Sequence, residues 1–163
     1  MKRVGLFVDT VNLYNVLKFK YGKSARLSYV KYLDFLEDYN FDLKIATCLD
    51  TGGKYGTQKF HQALEKSGFD LIKEKLRKYT NYHDGYVGQR VDCDVTMTVS
   101  IMTRLNAIDH FILGSNDEDL LPLIRALKIS GKKVSIFASI IPDSFKQEAN
   151  YCIEIPESLL EKR

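Results

Sequence analysis

Short apolar runs recur along the chain: VGLFVD (4–9), LKIATCL (43–49), FDLIK (69–73), HFILGS (110–115), KVSIFAS (133–139) and YCIEI (151–155). Runs of this length without polar alternation are the pattern of strands covered on both faces, as in a parallel sheet. Between them the apolar positions change period. SYVKYLDFLEDY places Val30, Leu33, Phe35, Leu36 and Tyr39 near helical spacing, and TQKFHQALEKSG groups Phe60, Ala63 and Leu64 and stops at Gly68, so both read as surface helices. DCDVTMTVSIMTRLNA is apolar on nearly every side, which predicts a helix buried in the middle of the molecule, and LLPLIRALKIS predicts another after the fourth strand. Alternating strand and helix units of this kind predict a doubly wound α/β domain with right-handed crossovers. Its helices would form layers around a central, mainly parallel sheet. A chain of 163 residues suits one such domain, residues 1–163.

In an open α/β sheet, ligands collect beyond the carboxyl ends of the strands, where strand order reverses. The first strand ends in Asp9, and HFILGS runs into Asn116, Asp117, Glu118 and Asp119. The apolar helix opens with Asp92 and Asp94, which reach the same edge if that helix runs antiparallel to the strands. Taken singly, each of these residues has an ordinary use, because Asp and Asn at a helix start accept backbone N–H bonds. Capping does not account for the convergence. Carboxylates crowded at one edge repel each other and raise their pKa values unless a cation is present, and an all-oxygen donor set suits Mg²⁺ or Mn²⁺.

Composition narrows the chemistry without deciding it. The net charge of +3 and pI near 8.6 are too mild to establish a nucleic-acid partner by themselves. Cys48, Cys93 and Cys152 are odd in number and widely spaced, so they read as reduced thiols and not as a disulfide framework or thiolate zinc site. The opening KRVGLFVD has no leader pattern and no apolar run approaches a membrane span, so a cytoplasmic protein is expected. His61, His83 and His110 are scattered, GSNDED lacks nucleophile-elbow spacing, and TGGKYG is a turn without a Walker pattern.

KEKLRKYTNYHDGYVGQR interleaves Lys73, Lys75, Arg77, Lys78 and Arg90 with Tyr79, Tyr82 and Tyr86. Cations grip phosphates and tyrosines stack unpaired bases, while the alternative is a solvated hairpin whose tyrosines cover the core. Because the segment leads straight into Asp92, it is expected to border the acidic edge and to contact nucleic acid.

Three motifs, GLFVDTVNL, RVDCDVTMTVSIM and FILGSNDEDLLPLIRALKISGKKVSIF, resemble in order those of the NYN domains of the PIN-like nuclease superfamily. The resemblance covers nearly the whole chain. It implies a PIN-like, Rossmann-like topology and a metal-dependent ribonuclease using one or two Mg²⁺ or Mn²⁺ ions. Asp9, Asp94, Asp117 and Asp119 would be its catalytic and metal-binding residues, with Asn12, Ser115 and Asp92 orienting carboxylates or the scissile phosphate. RNA is the implied partner, with no membrane, and a homo-oligomer is compatible with the reading. Family members often have Gly where this chain has Asn116, a residue that tolerates positive φ. Many carry Asp where Ser100 and Asn150 stand. Those departures motivate a second reading, an RNA-binding or regulatory module with weak or no catalysis. A third, a small-molecule phosphohydrolase with Asp9 as nucleophile, lacks the Asp it wants at Val11.

Overall fold

The computed structural model describes residues 2–53 and 55–161. Six strands form one all-parallel sheet: β1 (Val4–Asp9), β2 (Phe41–Asp50), β3 (Asp70–Lys75), β6 (His110–Gly114), β7 (Lys133–Ala138) and β8 (Tyr151–Glu154), in the order β3-β2-β1-β6-β7-β8. β4 (Arg77–Thr80) and β5 (Val87–Arg90) pair antiparallel as a separate hairpin. The helices are α1 (Thr10–Tyr21), α2 (Tyr29–Phe35), α3 (Tyr55–Lys66), α4 (Cys93–Met102), α5 (Leu121–Ile129) and α6 (Asp143–Glu148). Among the described residues, no helix is long and apolar enough to cross a membrane.

The central strands are apolar because helices cover both faces: every residue of β1 and β6 is buried, whereas the outer strands β3 and β8 alternate or are largely exposed. Phe7 and Phe111 stack across this pair at 5.7 Å. Sequence order runs outward from β1 to β3 on one side, then restarts at β6 on the other. The strand order therefore reverses between β1 and β6, and the crevice beyond their carboxyl ends is where such a sheet takes its ligand.

Three helical features differ from the sequence expectation. DCDVTMTVSIMTRLNA is not buried in the middle of the molecule: α4 buries Cys93, Met97, Ser100 and Ile101 but turns Val95 and Val99 to solvent, 63% and 57% exposed. It packs on β1 and β2 from one side only, so apolar residues on its outer face have nothing to cover them. The stretch after Asp9, which offers no clean apolar stripe, is a twelve-residue helix, α1, anchored by Leu13 and Leu17 and ended by Gly22 at φ 96°. α6 is also unforeseen. All three cysteines are free, Cys48 and Cys93 buried and Cys152 half-buried.

A candidate acidic active site at the strand-order switch

Asp9 is both the last residue of β1 and the N-cap of α1. Its Oδ1 accepts from the Val11 and Asn12 amides at 3.0 and 2.9 Å, satisfying two of the orphan donors of the helix start. Both bonds fall on one oxygen, so among the described residues Oδ2 carries no hydrogen bond. Asn12, one turn into α1, accepts from the Asn116 amide at 3.0 Å and so ties the helix to the loop after β6. Buried Ser115 accepts from the Asp117 amide at 3.2 Å, and Asp117 accepts from the Asp119 amide at 3.1 Å, opening a 3₁₀ turn over Glu118–Leu120. These short side-chain bonds hold the loop without a left-handed residue. Asn116 does not use a positive φ, contrary to what the family glycine suggests; its amide is held by Asn12 instead.

Asp9, Asp92, Asp94, Asp117 and Asp119 line one cavity of about 190 Å³ with Val11, Asn12, Asn15, Val91 and Cys93. The acids come from three segments: the end of β1, the start of α4 and the loop after β6. Asp92 is the N-cap of α4 and Asp94 lies in its first turn, which brings that turn to the strand ends. Burial pushes the Asp9 carboxyl up to about 6, its two amide bonds oppose this, and the negative charges of Asp117 and Asp94 add to the rise. Burial and the charge of Asp9 push the Cys93 thiol up to about 12. At neutral pH Cys93 therefore keeps its proton and Asp9 is mostly ionised, and the cavity's polar lining is otherwise the side-chain oxygens and amides of its Asp and Asn residues. That donor set fits a hard divalent cation, which would offset the repulsion raising Asp9. Among the described residues, no group of three or more His, Cys, Asp or Glu side chains stands as a ready metal cage.

Ser115 lies behind the cavity and shapes its loop. Glu118 points elsewhere, accepting from Ser144 of α6 at 2.6 Å. Ser100 is buried farther along α4, where its Oγ and carbonyl accept from Arg104, and Asn150 bonds the Val134 backbone in the β7–β8 ladder. Neither replaced residue lines the cavity. The basic segment divides between elements. Lys73 and Lys75 belong to edge strand β3, Arg77, Lys78 and Tyr79 to β4, and Tyr82 stands 97% exposed at the hairpin turn. None of them lines the cavity; among the described residues, the chain reaches it through the two that follow the segment, Val91 and Asp92. Arg77 stands 4.0 Å from Glu74, and Tyr79 lies over Gly88 of β5, with its ring 6.4 Å from that of Tyr86. The Arg90 side chain lies outside the described part of the chain. Sequence reasoning missed Asn15, which becomes visible as a cavity residue only once Asp9, Asn12 and Asn15 are known to succeed each other at a spacing of three on a helix.

The NYN domain family model matches residues 3–158. A search of curated proteins finds no match. Among solved structures, the crystal structure of a protein of unknown function from Vibrio parahaemolyticus superposes with a TM-score of 0.82 at 19% identity, covering 98% of this chain and 96% of that one. At that identity the likeness concerns the fold.

Proposed function

This chain belongs to the NYN domain family of the PIN-like nuclease superfamily, and from that premise we propose that it is a Mg²⁺- or Mn²⁺-dependent ribonuclease that hydrolyses RNA phosphodiester bonds at the β1/β6 switch point. The observation that carries this reading is the convergence of Asp9, Asp94 and Asp117 from three separate segments on one cavity, with Asp9 pushed up to about 6. A purely structural set of caps has no reason to share a cavity.

Asp9, Asp94 and Asp117 would hold the cation, Asp9 through the Oδ2 that its capping role leaves over. When bound, the cation supplies charge neutralisation at the phosphate and a lower pKa for attacking water. The chain supplies the rest. Asn12 and Ser115 fix the loop that aims Asp117, and Asn15 offers an amide donor to a phosphate oxygen. Asp119, exposed and lining the cavity, would take a proton at its carboxylate from the water that adds to phosphorus, while the P–O bond to the leaving strand breaks and the departing oxygen takes a proton from solvent. No covalent bond to the enzyme is required.

A second reading, an RNA-binding module without turnover, draws support from the lack of a ready metal cage among the described residues. One experiment separates the two. Labelled single-stranded and structured RNA are incubated with the protein in Mn²⁺, Mg²⁺ or EDTA beside Asp117→Asn. The nuclease reading expects cleavage by the parent only, and only with metal; intact RNA that is shifted on a gel supports the binding module.

A further inference from the structure

α1 enters the cavity with Asn12 and Asn15, and the same helix then leaves it. Phe19 follows Asn15 by four residues, so it lies one turn farther along nearly the same face, about 6 Å on along the axis. It is 84% exposed, far more than a solitary core-forming phenylalanine would be. The chain around it is rich in cations, of which Lys20 stands 3.6 Å from Glu154 of β8. Residues 10–33 include Lys18, Lys20, Lys23, Arg26 and Lys31 and not one Asp or Glu, whereas the hairpin segment 73–90 mixes its five cations with Glu74 and Asp84. Lys18 is exposed on the flank of Phe19, its ammonium 5.8 Å over the ring of Tyr14, while the Arg26 guanidinium stands 4.7 Å over that ring.

We propose that the exposed face of α1 carrying Asn15, Lys18 and Phe19 is the track along which single-stranded RNA leaves the acidic cavity, with a base stacked on Phe19 and a backbone phosphate held by Lys18. This rests on the ribonuclease reading of that cavity and deepens it. The acids repel a polyanion everywhere except where a cation sits among them, so the strand needs a positive surface continuous with the cavity wall. α1 is that surface: it contributes Val11, Asn12 and Asn15 to the wall, and the described side chains of the hairpin strands contribute none. An exposed aromatic set among lysines suits an unpaired base over a phosphate chain. A second copy of this chain is the poorer occupant, because a self-contact at Phe19 would bring two acid-free, lysine-rich segments together.

The test uses the full chain, a fluorescent single-stranded RNA, anisotropy in EDTA for binding and initial rates in Mn²⁺ for cleavage. Phe19→Ala is expected to weaken binding and raise KM about tenfold, the scale of one lost base stack, with kcat within about twofold of the parent. Phe19→Tyr restores both, and Lys18→Ala reduces the slope of log affinity against log salt by about one. Phe19 is exposed, so an unchanged melting midpoint is expected to accompany these effects. Binding and KM unmoved in Phe19→Ala, in a parent that cleaves, overturns the track and leaves the nuclease reading standing. A change in sedimentation with RNA binding unmoved overturns it in favour of self-association. If the parent binds RNA but does not cleave it, the nuclease reading falls and the anisotropy of Phe19→Ala still decides the track. A parent that neither binds nor cleaves overturns both.

Discussion

β1 and β6 run side by side, and each has acids near its ends that meet opposite fates. At the amino ends, Asp109 receives Arg3 through its backbone amide at 3.0 Å and its guanidinium at 3.1 and 3.2 Å, with Lys132 at 3.8 Å. Those bonds from Arg3 hold the Asp109 carboxyl down to about 2. Asp42 of the neighbouring strand accepts the Val4 amide at 2.8 Å. At the carboxyl ends, Asp9 and Asp117 accept from backbone amides, and burial, with a smaller addition from the charges of Asp117 and Asp94, raises Asp9 to about 6. The same residue type on the same two strands is thus a satisfied brace at one end and an unneutralised donor at the other. Asp109, which braces the fold, is supplied with cations by the chain; Asp9 and Asp117 at the carboxyl ends have no such cation among the described residues, which is what the proposed site for an outside cation would require.

The largest expected effect breaks the comparison at its functional end. Asp9→Asn, Asp94→Asn and Asp117→Asn should each reduce metal-dependent RNA cleavage at least about a thousandfold, the scale for losing one member of a group acting as a unit. Glu118→Gln and Asp109→Asn should stay within about twofold of the parent under the same assay. If Asp109→Asn matched Asp117→Asn, the distinction between the two ends would be void.

Stability against pH sharpens the contrast. The folded-state pKa of Asp9 is raised, so its contribution to stability is complete below the unfolded value near 4 and is lost as pH climbs through about 6. Asp9→Asn keeps an oxygen for the α1 cap but does not ionise. In metal-free buffer it should match the parent near pH 4 and exceed it by up to about 3 kcal/mol at pH 8 in urea unfolding. His110, buried near the amino ends against Ser135 at 2.8 Å, has the opposite slope. Burial, helped by Lys133 and Lys2, pulls it down to about 4, so the neutral ring adds stability above its unfolded value near 6.5 that is lost as pH falls through about 4. His110→Gln should remove that acid-side loss and leave the alkaline side unchanged.

Next in size is the linkage to metal. Mn²⁺ at a hundred times its dissociation constant should stabilise the parent by about 2.7 kcal/mol, read as a rise in melting midpoint, and should not stabilise Asp117→Asn. A rise that survives Asp117→Asn would locate the bound ion elsewhere. The smallest effect concerns the hairpin. The triple variant Lys75→Ala, Arg77→Ala, Lys78→Ala should lower the salt slope of RNA binding by less than the three units that full phosphate contact by all three would give, since none of these residues lines the cavity. A loss near three would return this arm to the centre of the RNA surface.

The strands were legible because β1, β2, β6 and β7 are covered on both faces and their apolar runs have few other uses. The acids were legible as a set because the rule for open α/β sheets converts strand ends into a shared location. α1 was not legible: Val11, Tyr14, Val16, Phe19 and Tyr21 ring the helix and blur the stripe made by Leu13 and Leu17. The residues that confuse the pattern include those facing the cavity and solvent, so the helix hides for the same reason that it is interesting. α4 shows the converse, since Val95 and Val99 are apolar and exposed. The basic hairpin shows that adjacency in sequence to Asp92 does not carry a side chain into the cavity.

The hairpin of β4 and β5 is a sheet of only two strands, closed at its turn by bonds between Asn81 and Tyr86 and between Gly85 and Asn81 at 2.7 and 2.8 Å, with nearly every described side chain exposed. Such a ribbon opens at little free-energy cost, whereas β1 opens only with the sheet around it. Amide exchange should therefore be orders of magnitude faster over 77–90 than in β1. Val91 and Asp92, which line the acidic cavity, follow directly on this ribbon, whereas Asp9 ends the fully buried β1, so the cavity joins a part of the chain expected to open fast to one expected to open slowly. For the RNA strand proposed above, that pairing would supply a fixed side that keeps the chemistry in register and a yielding side that admits a strand with no end to thread.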